Sequence, residues 1–226
     1  MIRLLLRTIL PVGAMTLVAC CVSGCNIASA VGYTIHPEPE FDAMYKLADV
    51  PTVVFIDDRR GRVNPTRLRR VIADEATTQI IEEEAVSADN MIAPRDAMLI
   101  ARRYDRSGEI VPIAKVGELV GAQQVIYVDI EQFALTYDGV TPDPKCIARV
   151  RVLDLKTGKR VFPDPNDPDS YGYYQLIVDL PQHDPHGFNT VQVRNEMTEA
   201  LALRTGDRLG KMFYWYIESE LGGRLR

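Results

Sequence analysis

The sequence predicts an α/β fold: a single domain with a mixed β-sheet, about four helices packed on it, and a long C-terminal helix. Three observations carry this. Thr52-Val53-Val54-Phe55-Ile56 is a continuous apolar, β-branched run, the pattern of a strand buried on both faces and therefore of a sheet with helices on each side. Soon after it, Leu68, Val71, Ile72, Ala76 and Ile80 recur at helical spacing. Further on, Ala148, Val150 and Val152 alternate with Arg149 and Arg151, the two-residue period of a strand with one buried and one polar face.

In chain order, the first 24 residues read as a secretory signal. Arg3 and Arg7 give the positive start, residues 8–22 the apolar stretch, and small residues the cleavage site. The run contains Pro11 and is shorter than the roughly 20 apolar residues a spanning helix needs. It ends in Val22-Ser23-Gly24-Cys25, a lipobox, which makes Cys25 the acylated residue. Leu17-Val18-Ala19-Cys20 fits the same pattern; cleavage before Cys25 is preferred because it leaves an apolar stretch of ordinary length. Acyl chains contribute about 0.8 kcal/mol per buried methylene, so the protein is expected to sit on a membrane through this cysteine. Asn26 follows it; an Asp there is the usual mark of inner-membrane retention, so the expected place is the periplasmic face of the outer membrane.

Residues 25–49 are expected to be the lipidated cysteine and a tether, broken by Pro37 and Pro39, and residues 50–221 the α/β domain. A tether of this length reaches at most roughly 80 Å when fully extended. Asn64-Pro65 offers an N-cap and a first-turn proline for a helix over 65–85. Met91-Ile92-Ala93 is a short strand. Pro94 opens a second helix to about Arg106, and Pro112 a third with Ile113, Val116, Leu119 and Val120 inward, closed by Gly121. Val125 to about Tyr137 is a strand, 146–155 another, Lys156-Thr157-Gly158-Lys159 a hairpin turn, and Tyr173–Leu180 a further strand. Asn189 is the expected cap of a last helix over about 190–220, in which Gly206 and Gly210 point to close packing against the sheet.

Of the chain's 226 residues about 200 remain after cleavage, enough for one domain with a proper core. The net charge of −5 argues against a nucleic-acid partner. Once Cys25 is lipidated and Cys20 and Cys21 are removed, Cys146 is the last thiol, alternating with Ala148 in a strand and expected to be buried and inert.

This order of elements resembles the α/β domain shared by the curli-secretion lipoprotein, the penicillin-binding-protein activator lipoprotein and the amino-terminal domain of the Tol–Pal translocation protein. Three stretches carry the likeness, which spans about residues 50–220. They are Val53-Val54-Phe55-Ile56 leading to its helix, the Leu119–Tyr127 segment with Gly121-Ala122 before an apolar strand, and Ala148–Lys159 with its Asp154-x-x-Thr157-Gly158-Lys159 hairpin. The resemblance implies a binding and assembly module of the cell envelope with a protein partner, not an enzyme. No surplus pair of membrane-length strands is present for a pore, and the tether is short for spanning the wall.

The motifs of chemistry point the same way. Gly-x-Ser-x-Gly, His-Glu-x-x-His and Gly-x-Gly-x-x-Gly are all missing, so no catalytic residue, cofactor or metal is expected. His183-Asp184-Pro185-His186 matches no strong metal spacing, and a calcium-like start at Asp167, Asp169 and Gly172 places Val178 where a Glu is needed. Two binding candidates remain. Arg59, Arg60, Arg62, Arg67, Arg69 and Arg70 crowd the turn between the first strand and its helix, where α/β sheets take ligands. Phe213-Tyr214-Trp215-Tyr216 fall on the last helix and cannot all face one core, which leaves Tyr214 and Trp215 for a partner or for the 163–189 insertion. Two other readings stand beside the non-enzymatic one: an envelope hydrolase or transferase, which a pocket joining Asp57, Asp129 and His183 would favour, and a structural self-oligomer.

Overall fold

The computed structural model describes residues 39–217 apart from 107, 109, 169, 170, 181–187 and 189. The expected signal peptide, Cys25, the His183–His186 loop and the Asn189 cap therefore lie outside the described residues, as does part of the calcium-like loop. Contacts within the chain define one unit at Asp42–Tyr216; the described residues outside it are 39–41 and Ile217, with a strand at Glu40–Phe41.

Four helices and a mixed sheet make up the unit, as the pattern predicts. Strands β1 (Thr52–Asp57), β2 (Met91–Ile92), β3 (Gln124–Thr136), β4 (Pro142–Asp154) and β5 (Lys159–Phe162) lie in the order β2-β1-β3-β4-β5, and β6 (Tyr174–Asp179) also pairs with β4. β1 is parallel to both β2 and β3; β3, β4, β5 and β6 pair antiparallel. The helices are α1 (Leu68–Glu82), α2 (Pro94–Arg106), α3 (Ile113–Leu119) and α4 (Val191–Gly210).

β1 is buried along its whole length because its two faces feed two cores. Val54 and Ile56 join α1, α4 and the inner faces of β3 and β4 in the larger core. Val53 and Phe55 join Val125, Tyr127, Ala97 and Val116 under α2 and α3 in the smaller one. Fully burying such side chains contributes about 1.5–3 kcal/mol each before ordering entropy is subtracted. Cys146 lies in the larger core with no exposed surface. Burial pushes its thiol up to about 12, so it is inert, as the alternation predicts. The Asp154-x-x-Thr157 motif has a local cause: the Asp154 carboxylate accepts from the Lys156 amide at 2.8 Å and the Thr157 hydroxyl at 2.8 Å, which fixes the hairpin turn.

Several expectations are corrected. Residues 42–49, expected as tether, are fastened to the contact-defined unit Asp42–Tyr216. Leu47 is in the core, the Met44 amide donates to the Met212 carbonyl at 2.9 Å, and the Asp49 carboxylate takes bonds from the Ser87 amide, the Ser87 hydroxyl and Asn90. Those bonds, led by the one from Asn90, hold the Asp49 carboxyl below its ordinary value. Asn64 does not cap α1; the helix starts at Leu68 without a side-chain cap. The preceding loop is instead organised by Asp58, whose carboxylate accepts the Arg62 and Val63 amides at 2.8 and 2.9 Å and so turns Val63 into the core. Leu119 is exposed rather than inward, since α3 is only two turns long and spends its buried face on Val116 and Gly117. The cap of α4 is Thr190, which accepts the Val193 amide at 3.3 Å, and the helix stops at Gly210 instead of near 220. Gly206 and Gly210 face α1, not the sheet: a Cβ on Gly206 would lie 2.6 Å from the Ile72 carbonyl oxygen and 2.6 Å from the Glu75 Cβ.

Candidate functional site

The parallel half of the sheet carries two acids to its carboxyl end. β1 and β3 run in register from Thr52/Gln124 to Asp57/Asp129, so the alternation that buries Val53 and Phe55 also sets Asp57 beside Asp129. Together with Arg59, Arg60, Tyr127 and the segment Ile110–Ile113 they line an open cleft of about 510 Å³. Its position outside the carboxyl ends of parallel strands is where α/β sheets take ligands.

Within the cleft Asp57 is nearly buried and its partners are in place. The Tyr127 hydroxyl donates to Asp57 Oδ2 at 2.8 Å, and Arg59 Nε approaches the same oxygen at 3.0 Å. Arg59 also donates to the Val111 carbonyl at 3.2 Å, tying the β1–α1 turn to the rim. Burial, reinforced by the Asp57 charge, raises the Tyr127 phenol far above its ordinary value, so it stays a neutral donor. Asp129 is half-buried and its carboxyl is raised, first by desolvation and then by Asp57; Arg149 and Arg60 oppose the rise. Arg149 pairs with Glu131 and lies 4.4 Å over the Tyr173 ring, while Arg151 stands 4.8 Å over Tyr127.

Two of the acids at this end of the sheet already have partners. Asp57 is committed to two donors and Asp58 to two amides. Among the described residues no cluster of His, Cys, Asp or Glu is placed to hold a metal. Asp129 is the acid open to a ligand. Because its carboxyl is raised, ionisation costs the folded state more than the unfolded one, so this group favours folding below its ordinary value of 3.8 and loses that contribution as pH rises through its raised value. Asp129→Asn is therefore expected to stabilise the domain at pH 7 by a few tenths of a kcal/mol, small because a half-exposed charge is screened, with the gain vanishing below about pH 4. Urea melts of both proteins from pH 3.5 to 7.5 check this; a variant less stable than the parent at pH 7 contradicts it.

The arginines expected to form one patch are divided. Arg59 and Arg60 line the cleft, and Arg62 is exposed on the turn. Arg67 makes two bonds to Glu199 on α4, at 3.1 and 3.2 Å, and Arg70 pairs with Asp74 at 3.3 Å along α1. Such exposed pairs are worth about 0–1 kcal/mol, but they occupy the charge that a partner was to meet.

The aromatic run is corrected as well. After Gly210 a short 3₁₀ turn, Lys211–Phe213, leads into extended chain at Tyr214. This exit places Met212, Phe213 and Tyr214 all inward, which a continued helix would not do. Tyr214 is buried and donates to Gln79 at 3.3 Å, so it is a packing residue; Trp215 remains 51% exposed and is the part of the run open to a partner. Sequence reading missed Tyr127 and the Arg149/Arg151 pair. Their signal is the alternation itself, but the facing of Tyr127 by Arg151 and of Asp129 by Arg149 depends on the β3–β4 register, which the sequence does not state.

No family model matches the sequence, and no curated protein does. Solved structures similar to it include a PelC dodecamer from Paraburkholderia phytofirmans, at 12% identity and a TM-score of 0.38, covering 78% of this chain and 96% of that one. Lipoprotein GNA1162 from Neisseria meningitidis matches at 11% identity and a TM-score of 0.34, covering 70% and 95%. The LpoB C-terminal domain from Salmonella enterica matches at 12% and 0.31, covering 60% and 86%. Among the described residues no helix is long and apolar enough to cross a membrane.

Proposed function

We propose that this protein is a membrane-anchored lipoprotein of the bacterial cell envelope that acts as a non-enzymatic binding and assembly module. The observation that carries the reading is Val22-Ser23-Gly24-Cys25 at the end of an Arg-started apolar segment, which assigns acylation to Cys25 and export to the chain. Asn26 favours the outer membrane and its periplasmic face. The cleft supports binding: its buried acid is already held by Tyr127 and Arg59, and among the described residues no Ser, Cys or His lines it.

The partner is an envelope protein, and Trp215 is the residue proposed to meet it, since a half-exposed Trp at the domain surface matches the composition of binding hot spots. Arg60 and Arg62 extend the candidate surface on the opposite argument, charge. The alternative of an envelope hydrolase or transferase draws on the juxtaposed Asp57 and Asp129. Trp215→Ala in pull-downs from detergent-solubilised envelopes tests the reading. The expected result is that the parent recovers a partner, that the variant recovers it at least tenfold less, and that both melt within about 2 °C of each other. Equal recovery by the two, or self-association alone by size measurement, contradicts the heteromeric reading.

A further inference from the structure

A second concave site adjoins the Asp57/Asp129 cleft, the Arg151 guanidinium standing over the Tyr127 ring between them. It has a volume of about 420 Å³ and is lined by Arg151 and Leu153 of β4, Lys159 and Arg160 of β5, and the Pro165 and Tyr171–Tyr173 segments of the following loop. The register makes it one surface. Leu153 faces Arg160 directly, and Arg151 stands two residues along the same face with its guanidinium over Tyr127 of β3.

The charge is one-sided: in a chain of net charge −5, three cations line one concavity and, among the described residues, no carboxylate does. Among the described residues, Arg151, Lys159 and Arg160 form no ion pair. The Nε atoms of Arg151 and Arg160 are buried without a hydrogen-bond partner. Unmet buried donors are uncommon in native proteins and ask for a cause, a missing anion among them. The nearby Asp164 does not supply one: its carboxylate is turned back on its own loop, accepting the Asn166 amide at 2.8 Å. Gly172 opens the space. It has φ +84°, and a Cβ there would come within 2.6 Å of the Arg160 Nη1, so the guanidinium lies directly against the main chain.

Beside the cations lies an apolar flank. The Tyr171 ring is 88% exposed, and Tyr173, Pro165 and Leu153 continue it. An inorganic anion has no use for such a flank, whereas a ring ligand with a C–H face does. Net charge weighs against a polyphosphate strand, which a basic protein would attract. We infer that this concavity binds a saccharide bearing an oxyanion, a carboxylate or a phosphate, with the Arg151 and Arg160 forks and Lys159 on the anion and Tyr171 against the sugar ring. Guanidinium forks match the paired oxygens of either group. This goes beyond the membrane-anchored reading and does not depend on it.

Titration calorimetry on the full-length chain in detergent tests it with four probes: an oligogalacturonate, glucose 1-phosphate, a neutral malto-oligosaccharide of equal length, and inorganic phosphate. One acidic sugar, or both, is expected to bind at least about tenfold tighter than the neutral one; which of the two does so tells a carboxylate source from a phosphate source. Arg160→Gln and the exposed Lys159→Gln are each expected to weaken that binding about tenfold, the latter without touching the fold. Tyr171→Ala should weaken the acidic sugar and leave inorganic phosphate unchanged. Binding of neither acidic sugar, equal binding of the neutral one, or unchanged affinity in Arg160→Gln and Lys159→Gln overturns the inference. Inorganic phosphate binding as tightly as the sugars, with Tyr171→Ala silent, overturns its saccharide part.

Discussion

Phe213→Ala is expected to remove about 3–5 kcal/mol of folding free energy and to lower the melting temperature by roughly 10 °C. Phe213 is 2% exposed and is among the largest fully buried side chains of the domain. Its ring meets Phe162 edge-on at 6.5 Å, and Phe162 in turn contacts Tyr45 and Tyr174, so one truncation opens a cavity between α4, β5 and the 42–49 segment. The site has little freedom to collapse. The Met212 carbonyl next to it anchors the Met44 and Tyr45 amides, which holds the surrounding backbone in place. Trp215, two residues on and 51% exposed, is the internal control, because its truncation should leave stability nearly unchanged. Urea denaturation of the two variants checks the pair. Equal losses would mean that Trp215 is covered within the chain.

Gly206→Leu is expected to cost about 3 kcal/mol or more, and Gly206→Ala about 1–2 kcal/mol despite the roughly 1 kcal/mol that alanine gains in a helix interior. The cause is the approach of α4 to α1. The contact sets Gly206 against the Ile72 carbonyl oxygen, and a main-chain atom inside a helix cannot swing aside as a side-chain end can. The helices must separate, and with them the Leu201, Ala202 and Leu209 side chains that pack with Ile72 and Ala76 in the larger core. Gly210, where the nearest atoms are the Gln79 Cβ and Cγ, should tolerate alanine better. A Gly206→Ala protein that melts above the parent contradicts this account of the interface.

Much of the fold was legible because the relevant signals are local. Periodicity placed α1, β1 and the β4–β5 hairpin, an opening proline placed α2, and the alternation of Cys146, Ala148, Val150 and Val152 gave the buried face of β4. The misreadings occurred where distant contacts decide. Nothing near Leu47 in sequence says that Met212 will take the Met44 amide, so a fastened segment read as tether. Helix propensity carries the chain past Gly210, but the core takes Met212, Phe213 and Tyr214 only if the helix ends, and packing prevailed. The candidate site was half legible. Asp57 stood out as an acid at a strand end, and Asp129 as its possible neighbour in a pocket. The dispersal of the arginines was hidden, because the partner of Arg67 is Glu199, 132 residues away. Likewise, the basic concavity needs β4 and β5 in register before Arg151, Lys159 and Arg160 meet.

Labelling with radioactive palmitate tests the proposed lipid anchor on Cys25 most directly. The parent and Cys20→Ser chains are expected to incorporate label and to sediment with membranes. Cys25→Ser is expected to incorporate none and to appear in the soluble fraction. Label retained by Cys25→Ser, or lost only in Cys20→Ser, would contradict the assignment of Cys25 as the anchor.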